Sequence, residues 1–197
     1  MKPARLRPRQ IDDPKRIRVL ASPVRHEIVD TLSALGGTAT VARLAEHLGR
    51  HADGLYYHLR LLKKSGLVEE LSSGDGERVF RLAGSGKAPL RLAYRVERGG
   101  NGSALETYAR GLLKVAQRDF TQALATPGVV ASGPRRQLWA ARNKGWVSGE
   151  DLAEVNSLLE RLCTLTSQKL DANREELVSF AFVLAPLSRR PRRRQSK

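Results

Sequence analysis

The run from Leu55 to Val68 constrains this chain more than any other stretch. Leucines at 55, 59 and 62 recur at helical spacing, so in a helix they face one side together. The opposite side then carries Asp53, Tyr56, Tyr57, Arg60 and Lys64, a row of hydrogen-bonding groups with no apolar neighbour to serve. Gly66 ends the helix, and Leu67-Val68 begins a strand. A segment of this kind buries one face and offers the other.

The preceding residues supply a second short helix. Val41, Leu44, Ala45 and Leu48 form an apolar stripe behind Thr40 as N-cap, and Gly49 closes it. Two short helices joined by a tight turn, the second with polar groups outward, are the arrangement that seats a helix in the major groove of DNA. Residues 67–71 and 77–82 read as two strands around a Gly-rich turn at 72–76, the hairpin of a winged helix. Upstream, the spacing predicts a short helix from Pro14 to Leu20. A second runs from Ser22-Pro23 to about Leu35, with Val24, Ile28, Leu32 and Leu35 as the core floor and Gly36-Gly37 as its end.

These linked motifs, "LASPVRHEIVDTL", "TVARLAEHLG", "LYYHLRLLKKSGLV" and a wing ending "RVFRL", resemble the ArsR-type winged helix-turn-helix regulators over about residues 18–82, roughly a third of the chain. Arg50 and His51 depart from the pattern, standing where the family usually has an apolar residue and a Ser or Thr cap. The resemblance implies a homodimeric prokaryotic transcription regulator, usually a repressor released by an inducer. It places helix 52–65 in the major groove of double-stranded DNA. Tyr56, Tyr57 and Arg60 are then expected at base edges, with Arg60 on guanine, and Lys63, Lys64 and Arg78 at phosphates. Arg50 and His51, at the start of that helix, complete the expected DNA-binding set.

The net charge of +15 looks like a DNA signal in itself, but its distribution alters its meaning. Lys2, Arg5, Arg7 and Arg9 at one end, with Arg189, Arg190, Arg192, Arg193, Arg194 and Lys197 at the other, hold ten of the fifteen excess charges. Residues 10–83 carry 11 basic and 10 acidic side chains, so the helix-turn-helix is nearly neutral. Both tails contain proline and few apolar residues, and are read as flexible phosphate-binding arms. The alternative is a solvated basic end that serves solubility.

The second half shows its own patterning and is read as a small α+β dimerisation or effector module with its own core. Leu90 to Arg98 is expected to be helical, and Ser103 with Glu106 reads as a capping box for a helix to about Ala125. Thr126-Pro127-Gly128 stops that helix. Ser148 with Asp151 caps another through about Leu170, with Leu152, Val155, Leu159 and Leu162 on one side. Residues 135–141 and the alternating Val178, Phe180, Phe182 and Leu184 are expected to be strands. The fold class is thus α+β, with a basic tail at 1–10, the winged helix-turn-helix at 11–84, the second module at 88–188 and a basic tail at 189–197. Tyr94, Tyr108, Phe120, Trp139, Phe180 and Phe182 are candidates to line an apolar pocket for a small-molecule effector; the plainer reading is that they fill a core or a dimer interface.

Other chemistries find little support. His26, His47, His51 and His58 all fall in the winged helix, but His47 and His51 straddle its turn and share no helix face, so no metal ligand set is expected. A single cysteine, Cys163, leaves no intrachain disulfide. Gly84-Ser85-Gly86-Lys87 mimics part of a phosphate loop, but position 81 is Arg and no Ser or Thr follows Lys87. No catalytic constellation assembles, so no enzyme activity or cofactor is expected. No apolar run is long enough to span a bilayer and no secretory signal is evident, which points to a cytoplasmic protein without membrane contact. Two further readings stay open: a protein-interaction or RNA-binding module using the winged helix and basic tails, and a ligand-binding protein whose DNA contact is vestigial.

Overall fold

The computed structural model describes residues 9–72, 77–84, 90–168, 173–174 and 176–187. Helix α1 (Pro14–Leu20) starts where the Asp13 carboxylate accepts the Lys15 N–H at 3.0 Å and proline occupies the first turn. Helix α2 (Pro23–Ala34) follows Ser22, whose side chain makes no capping bond. Gly36 and Gly37, at φ 87° and 92°, end α2 in the left-handed region that only glycine enters freely. Strand β2 (Thr38–Thr40) then leads into α3 (Val41–Leu48), where Thr40 Oγ1 accepts the Arg43 N–H at 3.2 Å and Gly49 is the left-handed cap. Helix α4 (Ala52–Lys64) completes the helix-turn-helix.

Strands β3 (Val68–Ser72) and β4 (Arg78–Leu82) pair antiparallel, and β2 lies along the other edge of β4, giving the order β2-β4-β3. Phe80 stands opposite both Glu70 and Ala39 and is buried, so the sheet contributes its inner face to the core. That core is one cluster built from Ile17, Ile28, Leu32, Leu44, Leu55, Leu59, Leu62, Leu67 and their neighbours. The winged helix expected over 18–82 is therefore present, with β2 as an unforeseen third strand. Its wing turn at 73–76 lies outside the described residues, as do most of the 84–87 segment, residues 1–8 of the first basic tail, Ser188 and the second tail at 189–197, and the expected end of the last helix at 169–170.

The chain just before α1 and just after the wing also meet. Strand β1 (Arg9–Ile11) pairs parallel with β5 (Leu90–Leu92), Gln10 opposite Arg91, and Ile11 is fully buried beside the main core. This corrects two expectations. Arg9 and Gln10 are strand residues instead of tail, and 90–98 opens as a strand and continues without helix, because its partner lies some eighty residues upstream and local periodicity cannot show it. Buried Asn101 locks the junction: its side-chain amide donates to the carbonyls of Asp12 at 3.0 Å and Ala93 at 2.8 Å, and its oxygen accepts the Arg95 N–H at 2.9 Å. Arg95 also pairs with Asp12.

Helix α5 (Gly102–Leu124) begins one residue before the expected cap, so no capping box forms at Ser103. It packs on α1 and α2, and its Ala104 belongs to the same cluster as the winged helix. Helix α6 (Gly149–Thr166) does open with the expected box: Ser148 Oγ accepts the Asp151 N–H at 3.0 Å and Asp151 Oδ2 accepts the Ser148 N–H at 2.7 Å. None of its residues is buried. The expected strands at 135–141 and 178–184 are absent, since a strand exists by its ladder and these segments find no ladder partner among the described residues. Among the described residues, the second half consequently has no separate core within one chain. The architecture is α+β, with α5 as the brace between its halves.

The brace depends on close approach. A Cβ at buried Gly111 would lie 2.1 Å from the backbone oxygen of Ala21, in the α1–α2 corner. Gly111→Ala must push α5 off that corner, and a loss of about 1–3 kcal/mol is expected from forced overpacking. Urea unfolding of the variant checks this; an unchanged midpoint would contradict the approach.

Candidate nucleic-acid interface

Leu55, Leu59 and Leu62 are wholly buried, which sets the rotation of α4 about its own axis. At 3.6 residues per turn, Asp53, Tyr57, Arg60 and Lys64 must then face solvent, and all four are exposed, Tyr57 by 60%. Arg60 and Lys64 form no ion pair among the described residues. They are free to meet an anionic surface.

The other expected contacts are engaged within the protein. Tyr56 is half-buried against the core, and the Arg78 guanidinium of the wing sits over its ring at 5.4 Å. Lys63 Nζ lies 2.7 Å from Glu70 Oε2, and Arg78 Nε lies 3.8 Å from the other oxygen of the same carboxylate. The hydrogen bond from Lys63 is the main reason that the Glu70 carboxyl titrates below its ordinary range. Expected phosphate ligands Lys63 and Arg78 thus share one counter-charge, whereas Lys64 has none. Arg81 pairs in the same manner with Glu69 at 2.6 Å.

At the other end of α4, His51 is exposed and provides the N-cap position without a side-chain capping bond, in keeping with its departure from the Ser or Thr pattern. Arg50 is drawn back to Glu27 Oε2 of α2 at 3.4 Å. Glu27, with only 12% of its side chain exposed, also accepts Arg118 of α5 at 2.7 Å, and Arg118 in turn holds Asp119 at 2.8 Å. The Glu27 hydrogen bond is the largest cause of the raised Arg118 pKa. This chain of charges ties the turn before α4 to α5 through Glu27, which lies 91 residues from Arg118, so sequence spacing carried no signal of it.

The aromatic candidates do not converge. Tyr108 turns onto α2, where its hydroxyl meets His26 Nε2 at 3.1 Å; burial pushes the phenol well above its ordinary range. Phe120 is half-buried on α5, Tyr94 is largely exposed, and Trp139 lies under Arg136 with its guanidinium 3.4 Å from the ring centre. Phe180 and Phe182 are neighbours, ring centres 5.7 Å apart, but both are partly exposed. Within one chain, and among the described residues, these six rings line no common cavity. His58, beside the leucine stripe, is half-buried with Nδ1 unpartnered, and its pKa is lowered by burial first and by Arg25 and Arg50 next. No helix among the described residues is long and apolar enough to cross a membrane.

Residues 20–70 match a protein family described as a helix-turn-helix domain, spanning α2 to β3. The chain is also similar to two crystal structures of an organohalide-sensing transcriptional regulator, RdhR. The ligand-free form is 16% identical, with 72% of this chain and 62% of that one covered at a TM-score of 0.30. The form bound to 2,4-dichlorophenol is 15% identical, with 81% and 72% covered at a TM-score of 0.30. This chain thus spans less than two thirds of the ligand-free regulator's length. No curated protein matches the sequence.

The lowered His58 pKa has a stability consequence. A folded state that binds the proton less readily than the unfolded chain is favoured above the ordinary imidazole value of 6.5, and that advantage is lost as pH falls through the lower folded value. Stability is expected to drop on acidification from about pH 7 toward pH 5, and the drop should be shallower in His58→Gln. Urea midpoints across that range check it; parallel profiles for the two proteins would refute it.

Proposed function

We propose that the chain is a cytoplasmic, sequence-specific DNA-binding transcription regulator of the ArsR type, acting as a homodimer and placing α4 in the major groove. One observation carries the reading: a helix-turn-helix whose second helix buries Leu55, Leu59 and Leu62 while Tyr57, Arg60 and Lys64 project together into solvent. Arg60 is the reader of guanine, since an unpaired guanidinium can approach O6 and N7 in bidentate fashion. Tyr57 is the second base-edge group, while Tyr56 supports the wing by stacking under Arg78. Lys64 meets phosphate directly. Lys63, Arg78 and Arg50 do so only by exchanging a carboxylate for a phosphate, which weakens their contribution. General affinity then rests on the nine basic residues of 1–8 and 189–197.

Response to an effector would act through α5, because Arg118 and Glu27 connect that helix to Arg50 at the entry of α4. Such a ligand must bind one arrangement of α5 better than the other. Repression is the expected sign of regulation, as the resemblance implies, since a bound dimer blocks access to its site.

Two measurements test the reading. Arg60→Ala is expected to relax preference at one base position by about 1–3 kcal/mol, seen by selection from random DNA at fixed salt. The same motif recovered at the same strength would reject that role. Removal of residues 1–8 and 189–197 should keep the motif and flatten the salt dependence, by roughly 0.9 in slope for every phosphate no longer neutralised. An unchanged slope would assign general affinity elsewhere, and failure of the full chain to shift any duplex at physiological salt would reject DNA binding.

A further inference from the structure

Helix α6 is capped, eighteen residues long and entirely without buried residues, yet Leu152, Val155, Leu158, Leu159, Leu162 and Leu165 share one broad face. Helices in proteins draw most of their stability from packing such a face; Glu160 pairs with Arg91 of β5 at 3.4 Å, but this exposed ion pair leaves the apolar face of α6 without a burying partner among the described residues. Helix α5 has the matching vacancy. Its buried stripe at Ala104, Gly111 and Val115 packs on the winged helix, while an adjacent stripe of Leu112, Leu113, Ala116 and Phe120 is left half-buried or exposed. Between the two helices, residues 125–148 contain no helix or strand, and Trp139 and Trp146 on this connector are exposed. A connector of that length without secondary structure is unusual inside one compact unit. Fully extended it reaches roughly 75 Å, ample to carry α6 onto another molecule.

The geometry points to reciprocal exchange between two copies of this chain, α6 of each docking on the open stripe of the other's α5. Three quantities favour a second copy as the occupant. The chain presents 15788 Å² to solvent, whereas a compact monomer of 21.8 kDa presents roughly 9,300 Å². Granting every residue outside the described segments a fully solvated surface still leaves roughly 2,500 Å² per chain, the scale of a permanent dimer interface. The charges agree as well: α6 carries Glu150, Asp151, Glu154 and Glu160 against Arg161 alone, an acidic element in a chain of net charge +15, so it is suited to a basic protein such as its own copy and unsuited to DNA. Finally, Val178, Phe180, Phe182 and Leu184 alternate like a strand with no ladder among the described residues, and Ser179 Oγ donates to Asp119 Oδ2 of α5 at 2.7 Å, which holds this segment beside the same acceptor helix. Exchange places both apolar segments at one two-fold interface.

The inference rests on the homodimer proposed above and names its contact, without depending on DNA binding: a monomeric wild type would remove both, whereas dimeric single variants would remove the exchange alone. It is tested on the full chain without DNA, by sedimentation. The wild type is expected at twice 21.8 kDa, and Leu159→Asp on α6 and Leu113→Asp on α5 are each expected to be mainly monomeric at a concentration where the wild type is dimeric. Neither residue belongs to the buried core, and equal urea midpoints for the winged helix check that each variant folds. Mixing the two variants should restore dimer, because one heterodimer contact then joins an intact α6 to an intact α5. A mixture that stays monomeric means α6 folds back on its own α5 or pairs with another α6. That outcome, a monomeric wild type, or fully dimeric single variants would each overturn the exchange.

Discussion

The outward chemistry of this protein depends on what α4 withdraws from water. Leu55, Leu59 and Leu62 are fully buried, and each is worth roughly 1.5–3 kcal/mol relative to exposure. A turn of α4 by a single residue, about 100° around its axis, would expose part of that stripe and bury Tyr57 or Arg60. The burial therefore sets direction as much as stability: the groups offered to solvent are those the core cannot accept. Gly49 and the left-handed turn before α4, and Ser65 Oγ donating to the Leu62 carbonyl at its end, only limit its length.

Around that helix the electrostatics are more restrained than the net charge suggests. Glu70 neutralises Lys63 and Arg78, Glu69 neutralises Arg81, and Glu27 occupies Arg50 and Arg118. What remains unpaired on α4 is narrow, Arg60 and Lys64. Exposed pairs are individually worth about 0–1 kcal/mol, so phosphates can displace them at modest cost. Glu27 is different, because it is largely buried and bridges three elements; removing one partner leaves a buried charge less compensated. Under the proposed function, a near-neutral winged helix with basic residues concentrated in the tails would divide affinity from specificity.

The first half of the chain is legible in sequence because its signals are local. Leucine spacing, Thr40, Gly49, Gly66 and the Gly36-Gly37 pair each act within a turn or two, and each has the predicted role. In the second half, local pattern misleads wherever the structure is long-range. Residues 90–92 are a strand only because residues 9–11 lie beside them, and Asn101 is a fastening between Asp12 and Ala93 instead of a cap. Residues 178–184 alternate as a strand does, but the hydrogen-bonded neighbour that makes a strand lies nowhere in the described chain. Among the candidate contacts, Tyr57, Arg60 and Lys64 are where the helical period puts them. Tyr56, Lys63, Arg78 and Arg50 are taken up by partners whose positions depend on the whole fold.

By itself the sequence determined the order of the helices and of the two wing strands, though not β2, the face each helix of the winged helix buries, and the capping of α3 and α6, since these follow from periodicity and from side chains bonding to backbone a few residues away. Only the tertiary structure decided which exposed cations are free and which are paired, that α5 braces the α1–α2 corner through Gly111, and that α6 buries none of its residues against the described chain. Those outcomes turn on distances between residues far apart in sequence, and burial and Coulomb attraction depend on distance alone, whatever the separation along the chain.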